Sequence, residues 1–168
     1  TPRRWLLACN PRLAQLITSA IGDKWIADLE RLTELEKFAD DASFVKSFKE
    51  AKQANKQDLV NHLRDVMWTS LDPTAVFDVQ VKRLHEYKRQ LLNALHIVHL
   101  WIQVRKDPKS IGVPRAFLFG TKSAPGYKSA KLIIRLINGI GEVVNSDAGR
   151  TGLRVAFIPN YRVSLAER

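Results

Sequence analysis

Residues Val79-Gln-Val-Lys82-Arg83-Leu84-His85-Glu86-Tyr87-Lys88-Arg89-Gln90 join an apolar, strand-like run to the start of a helical pattern. Five cationic or protonatable side chains crowd that junction. Val76 to Val81 reads as the strand, and residues 84–106 read as one long helix. Its stripe is Leu84, Tyr87, Leu91, Leu95, Val98 and Ile102, recurring at helical spacing. Lys88 borders the stripe, which points its stem inward, while Arg89 falls about 100° further round and is expected in solvent. Free N–H groups and the helix dipole at such a start favour negative charge. An inward lysine beside Lys82 and Arg83 there needs an anion, and phosphate suits it best. The competing reading is a basic helix start whose charges are paired or solvated. The position favours the anion site, because open α/β sheets hold ligands at the carboxyl ends of their strands.

Working outward, Val113 to Phe119 reads as a second strand, Tyr127 to about Val144 as an apolar helix, and Leu153 to Ile158 as a third strand. That helix carries Leu132, Ile133, Leu136, Ile137 and Ile140, and a further helix begins near Val163. This βαβαβ order over residues 74–168 predicts an α/β fold with a parallel sheet and right-handed crossovers. The part before it, 1–73, reads helical. Asn10-Pro11 is a cap followed by proline at the first helical position, ahead of Leu13, Leu16, Ile17 and Ile21. Thr33 and Glu36 form a capping box for a short helix. Ser43 starts a longer one with Phe44, Phe48, Ala51, Leu59, Leu63 and Val66 inward. Ser70-Leu-Asp-Pro73 breaks the pattern and marks the subdomain seam.

The chain has 168 residues and a formal charge of +10, which implies anionic partners or an acidic neighbouring surface. A single cysteine, Cys9, excludes an internal disulfide framework, fits a reducing compartment, and reads as a small core residue. The longest apolar run, Leu91 to Ile102, holds Asn93, His96 and His99 and is too short to span a bilayer. These features point to a soluble, cytoplasmic protein. The chain opens without methionine and closes within a helical pattern, Ser-Leu-Ala-Glu-Arg, so an internal fragment of a longer enzyme is expected. G-x-G-x-x-G is absent after the first strand. Gly120-Thr-Lys-Ser-Ala-Pro-Gly126-Tyr-Lys128-Ser129 has the wrong spacing for a phosphate loop and reads as a strand-to-helix connection.

The stretch DVQVKRLHEYKRQLLN resembles the signature of the α-glucan phosphorylases, the glycogen, starch and maltodextrin enzymes. Thr1-Pro-Arg-Arg-Trp5-Leu-Leu-Ala-Cys-Asn10-Pro11, Lys122-Ser-Ala-Pro-Gly126-Tyr127 and Asn160-Tyr161-Arg162-Val-Ser164-Leu-Ala-Glu167 agree with it, in the family's order and near its spacing. The resemblance implies a partial Rossmann-like sheet, preceded by a helical segment, in the coenzyme-carrying C-terminal domain of a two-domain GT-B glycosyltransferase. It implies phosphorolysis of terminal α-1,4 links of a glucan by inorganic phosphate, giving glucose 1-phosphate. Pyridoxal 5'-phosphate would be the cofactor, with its phosphate serving as a proton relay. Lys82, Arg83 and Lys88 would be the catalytic set: Lys82 on the coenzyme phosphate, Lys88 between the two anions, and Arg83 swinging in to clamp inorganic phosphate. Trp5, Tyr161 and Arg162 would border the coenzyme, Arg162 on its phosphate. His85 would orient neighbours, and Tyr127 resembles an aromatic that stacks purine-like inhibitors. A homodimeric parent is implied, with no nucleic-acid or membrane partner.

In the family the lysine that anchors the coenzyme lies beyond the position of Arg168, and a glucose-contacting asparagine stands just before Thr1. The N-terminal domain would supply the other wall of the cleft. Residues 1–168 alone are therefore expected to be inactive. Asp147-Ala-Gly-Arg-Thr151 departs from the family pattern and reads as a surface turn.

Without the resemblance, Tyr161 reads as a core aromatic, Arg162 as a surface ion pair and Trp5 as core. His96 and His99 share one helix face but lack a third ligand, and His62 reads as solvent-facing, so no metal site is expected. Two rival readings stay open: a basic module binding nucleic acid or another polyanion, and a glycosyltransferase using a sugar nucleotide.

Overall fold

The computed structural model describes residues 2–67 and 70–167, without the side chains of residues 66 and 67. The expectation for Val66 lies outside this description. Two compact units divide the chain, one of residues 1–62 with 167–168 and one of residues 63–166.

The first unit is helical. A π-helical turn, Arg4–Ala8, precedes α1 (Pro11–Ile21), capped by Asn10, whose side chain accepts the Leu13 N–H. Trp25 is fully buried, donates its indole N–H to Thr18 at 3.1 Å, and packs in a cluster with Leu13, Ala14 and Ile17. A 3₁₀ segment, Leu29–Phe38, takes its cap from Asp28. The Thr33–Glu36 capping box is thereby corrected: Thr33 lies inside this segment and bonds back to the Glu30 carbonyl. The long helix α2 (Ala42–Met67) starts ahead of Ser43, because Asp41 accepts the Phe44 N–H at 2.9 Å. Its inward residues differ in part from expectation: Leu63 is buried as expected, while Phe48 is exposed and Val60, outside the expected set, is buried. Cys9 is half-buried rather than a core residue.

The second unit holds three parallel strands in the order β1 (Val76–Val81), β2 (Arg115–Thr121), β3 (Leu153–Pro159). Register pairs Val79 with Leu118 and Leu118 with Ala156. The connecting helices α3 (Gln90–Lys106) and α4 (Lys128–Ser146) both pack on the sheet face that carries Phe117, Phe119, Leu153 and Val155. Stepping in one direction with crossovers of one hand requires this. Ala116, Leu118, Ala156 and Ile158 alternate to the opposite face and are buried too. β2 is thus buried on both sides, as a central parallel strand should be. Gly141 lets α4 approach β3: a Cβ there would already touch Val155 at 3.6 Å. Asn145 binds both the N–H and the carbonyl of Val155 at 2.9 Å, occupying backbone groups of β3.

Two expectations about α3 are corrected. It begins at Gln90, not Leu84, and its buried face is Gln90, Ala94, Ile97 and Val104. Of the expected stripe, Leu91, Leu95, Ile102 and Tyr87 are exposed and only Leu84 is fully buried. The helix is apolar around most of its circumference, so the 3.6-residue period does not choose a face. Likewise, Leu132 and Leu136 of α4 are exposed, while Ala130, Ile133, Ile137 and Val144 are buried. The Asp147–Thr151 stretch is no surface turn: it forms α5 (Ala148–Thr151), with Ala148 and Thr151 buried. A short α6 (Val163–Ala166) follows β3. Among the described residues no helix is long and apolar enough to cross a membrane, and no group of three His, Cys, Asp or Glu residues could hold a metal.

Candidate functional site

Three segments leave the carboxyl ends of the three strands. They carry Lys82 to Arg89, Lys122 to Tyr127, and Asn160 to Arg162. Specific bonds hold them together. The Leu84 N–H donates to the Lys122 carbonyl at 3.0 Å, and the Tyr161 N–H donates to the Thr121 carbonyl at 3.5 Å. Tyr127 bonds His85 Nδ1 through its hydroxyl at 3.3 Å and accepts the Glu86 N–H at the same distance. The His85 ring lies against both Tyr87 and Tyr127, with centroids 4.2 and 5.1 Å away.

Gly120 is the tightest point. A Cβ on it would lie 2.8 Å from Val81 Cγ1 and 3.2 Å from Tyr161 Cδ2. The Tyr161 ring therefore sits over the end of β2, beside the residue that immediately precedes Lys82. The missing side chain brings the first and third segments to one place, which the sequence reading of Gly120 as part of a simple connection did not anticipate.

Residues 84–89 are not helical in the α sense. Glu86–Lys88 forms a single 3₁₀ turn, and Arg89 takes a left-handed conformation, φ 62°. Lys88 therefore does not point inward from an α-helix. It is half-buried, with its ammonium 5.7 Å from the Tyr87 ring centroid. Asn160, at the start of the third segment, is also left-handed, φ 54°. Such backbone costs on the order of 1–2 kcal/mol for an arginine, less for asparagine, and tends to collect at functional sites.

Lys82, Arg83 and Arg162 are exposed, and Tyr87 is 71% exposed. Among the described residues no carboxylate lies within ion-pair distance of Lys82, Arg83, Lys88 or Arg162. The Arg162 guanidinium donates to Ser164, at 2.9 Å. Unpaired cations of both kinds at one sheet end suit a phosphate-bearing ligand: arginine offers a planar fork, lysine a compact charge. Trp5 stands in the other compact unit, where it is 39% exposed on its π-helical turn.

A family model for carbohydrate phosphorylases matches residues 1–168. The chain belongs to that family. It is 50% identical to the muscle form of glycogen phosphorylase from Ovis aries over all of its own length and 20% of that protein's. The liver form from Bos taurus is also 50% identical and the human muscle form 48%, with the same coverage. The chain thus spans about a fifth of the length of the curated relatives it matches.

Within this carbohydrate phosphorylase sequence, three contributors to the site escaped the sequence reading: Gln80, Gln90 and Asn93. The Gln80 side chain donates to the Lys88 carbonyl at 3.3 Å and accepts from Asn93 at 3.1 Å, and Gln90 donates to the Arg83 carbonyl at 3.3 Å. Their signal was a polar residue at a core-facing position. Gln80 alternates with Asp78 toward the helices, and Gln90 is 1% exposed.

Proposed function

We propose that the chain forms the opening part of the C-terminal, Rossmann-like domain of a two-domain GT-B α-glucan phosphorylase, which transfers terminal glucosyl units of an α-1,4-glucan to inorganic phosphate. The observation that carries this is the joining of the Lys82–Lys88 and Tyr161–Arg162 segments over Gly120 at one sheet end, with cations that no carboxylate among the described residues neutralises.

The donor set fits pyridoxal 5'-phosphate in its phosphate, since these groups bind phosphate and no carboxylate among the described residues competes for them. Lys82, Lys88, Tyr161 and Arg162 would hold it. Its anchoring lysine is proposed to lie outside residues 1–168. When bound, it supplies a phosphate able to exchange a proton with the substrate phosphate.

The remaining work falls to this chain's side chains. Two phosphate dianions about 5 Å apart repel by on the order of 10 kcal/mol at an effective dielectric of about 20. Lys88 would offset much of that repulsion. Arg83 turns in from its exposed position to grip inorganic phosphate in a fork, and Lys82 balances the coenzyme phosphate. Held this way, the substrate phosphate can protonate the leaving glycosidic oxygen and then take up the glucosyl unit with retention. The chain's contribution is positioning and electrostatic stabilisation rather than covalent chemistry. The enzyme is proposed to be cytoplasmic and homodimeric.

The test uses the full-length protein, maltodextrin and inorganic phosphate, with release of glucose 1-phosphate as the readout. Product should depend on added coenzyme after the protein has been stripped of it. Arg83→Ala should raise the KM for phosphate by about tenfold or more, the cost of a lost charged hydrogen-bonding group. No product from folded, coenzyme-loaded protein rejects the reading.

A further inference from the structure

The segment between β1 and α3 is held by carboxamides. Were residues 84–89 α-helical, their carbonyls would bond forward along the helix. Instead the Lys88 N–H reaches only His85, in a 3₁₀ turn, and two carbonyls turn inward to side chains. Gln90 holds the Arg83 carbonyl. Gln80, itself held by Asn93 from the second turn of α3, holds the Lys88 carbonyl. The two carbonyls so held belong to residues whose cations face the proposed phosphate.

Gln90 is costly for the fold. It is 1% exposed, and its Oε1 has no partner among the described residues. A buried acceptor without a partner is destabilising, because it gives up its hydrogen bonds to water and gains none in return. Methionine, of similar length and shape, would fill the same space without that cost. What methionine could not do is donate to the Arg83 carbonyl.

We propose that Gln90, with the Gln80–Asn93 pair as a second clamp, is a positioning residue that sets where Arg83 and Lys88 present their charges to phosphate. This rests on the reading of that sheet end as the phosphate site. The clamps fix the backbone on either side of His85, while the long cationic side chains remain free to move.

The experiment uses full-length, coenzyme-loaded protein with Gln90→Met and the isosteric Gln80→Glu, which keeps the acceptor for Asn93 but loses the donor to Lys88. Three quantities are read: the KM for inorganic phosphate, the KM for maltodextrin, and the rise in Tm produced by inorganic phosphate alone. The expected result for Gln90→Met is a phosphate KM raised about tenfold, an unchanged maltodextrin KM and a weaker phosphate-induced rise, with basal Tm equal to or above wild type. Gln80→Glu should show the same split in KM. Unchanged phosphate KM and phosphate-induced rise in both variants would overturn the clamp, as would equal shifts in the two KM values. If wild-type protein releases no glucose 1-phosphate, phosphorolysis fails, and the phosphate-induced rise in Tm alone decides the clamp.

Discussion

The middle of the sheet and its carboxyl end are built from the same three strands by different forces. In the middle, Phe117 and Phe119 are sealed under Ala94, Ile97, Ile133 and Ile137, and burial of apolar surface does the holding. At the carboxyl end, single hydrogen bonds between connecting segments replace that seal, two residues adopt left-handed backbone, and the cations have no carboxylate partner among the described residues. Interiors of the first kind set stability. Ends of the second kind hold a constellation whose arrangement matters more than its net energy. Substitutions should therefore separate the two regions, those in the middle changing Tm and those at the end changing the handling of phosphate.

The largest effect is expected in the middle. Phe117→Ala should destabilise by about 3–5 kcal/mol, through lost burial and the cavity left behind, and be read in a denaturant midpoint. Protein that still folds should keep its phosphate KM. At the boundary between the regions, Gly120→Ala should cost about 1–3 kcal/mol, because its methyl group must displace Val81 and Tyr161. Unlike Phe117→Ala, it should also weaken the rise in Tm caused by inorganic phosphate; a loss of stability alone would show that Tyr161 has no part in the site. The smallest effect is at Arg89. Glycine there removes the left-handed penalty and should raise stability by about 0.5–1 kcal/mol in the same denaturant assay. A decrease would mean that the arginine side chain stabilises more than its backbone costs.

The same contrast explains what the sequence could disclose. β1 was legible to the residue, because a short apolar run before a cationic break has few alternative readings. β2 was placed two residues early, since Val113 and Pro114 continue the apolar pattern ahead of the first paired residue, Arg115. The cap at Asn10 and proline at the first helical position were legible as local chemistry. The start of α3 was not. Leu84 to Arg89 has helical propensity, but bonds from Lys122, Gln80 and Gln90, distant in sequence or masked as ordinary helix residues, hold it in another shape. The face of α3 was hidden for a different reason: leucines on nearly every side leave no preferred direction. At the proposed site, the charged residues stand out in the sequence by type and position. The residues proposed to arrange them, Gly120 by its missing side chain and Gln90 by its buried amide, carry no such mark.

Lys88 is proposed to act on two phosphates at an end of the sheet that contributes little to stability. Its direct test is glucose 1-phosphate release from maltodextrin by the full-length protein and its Lys88→Ala variant, compared at equal coenzyme occupancy. The expected kcat is lower by about 10²–10³-fold or more, with Tm changed by no more than the equivalent of about 0.5 kcal/mol. Near wild-type turnover from the folded, loaded variant would contradict it.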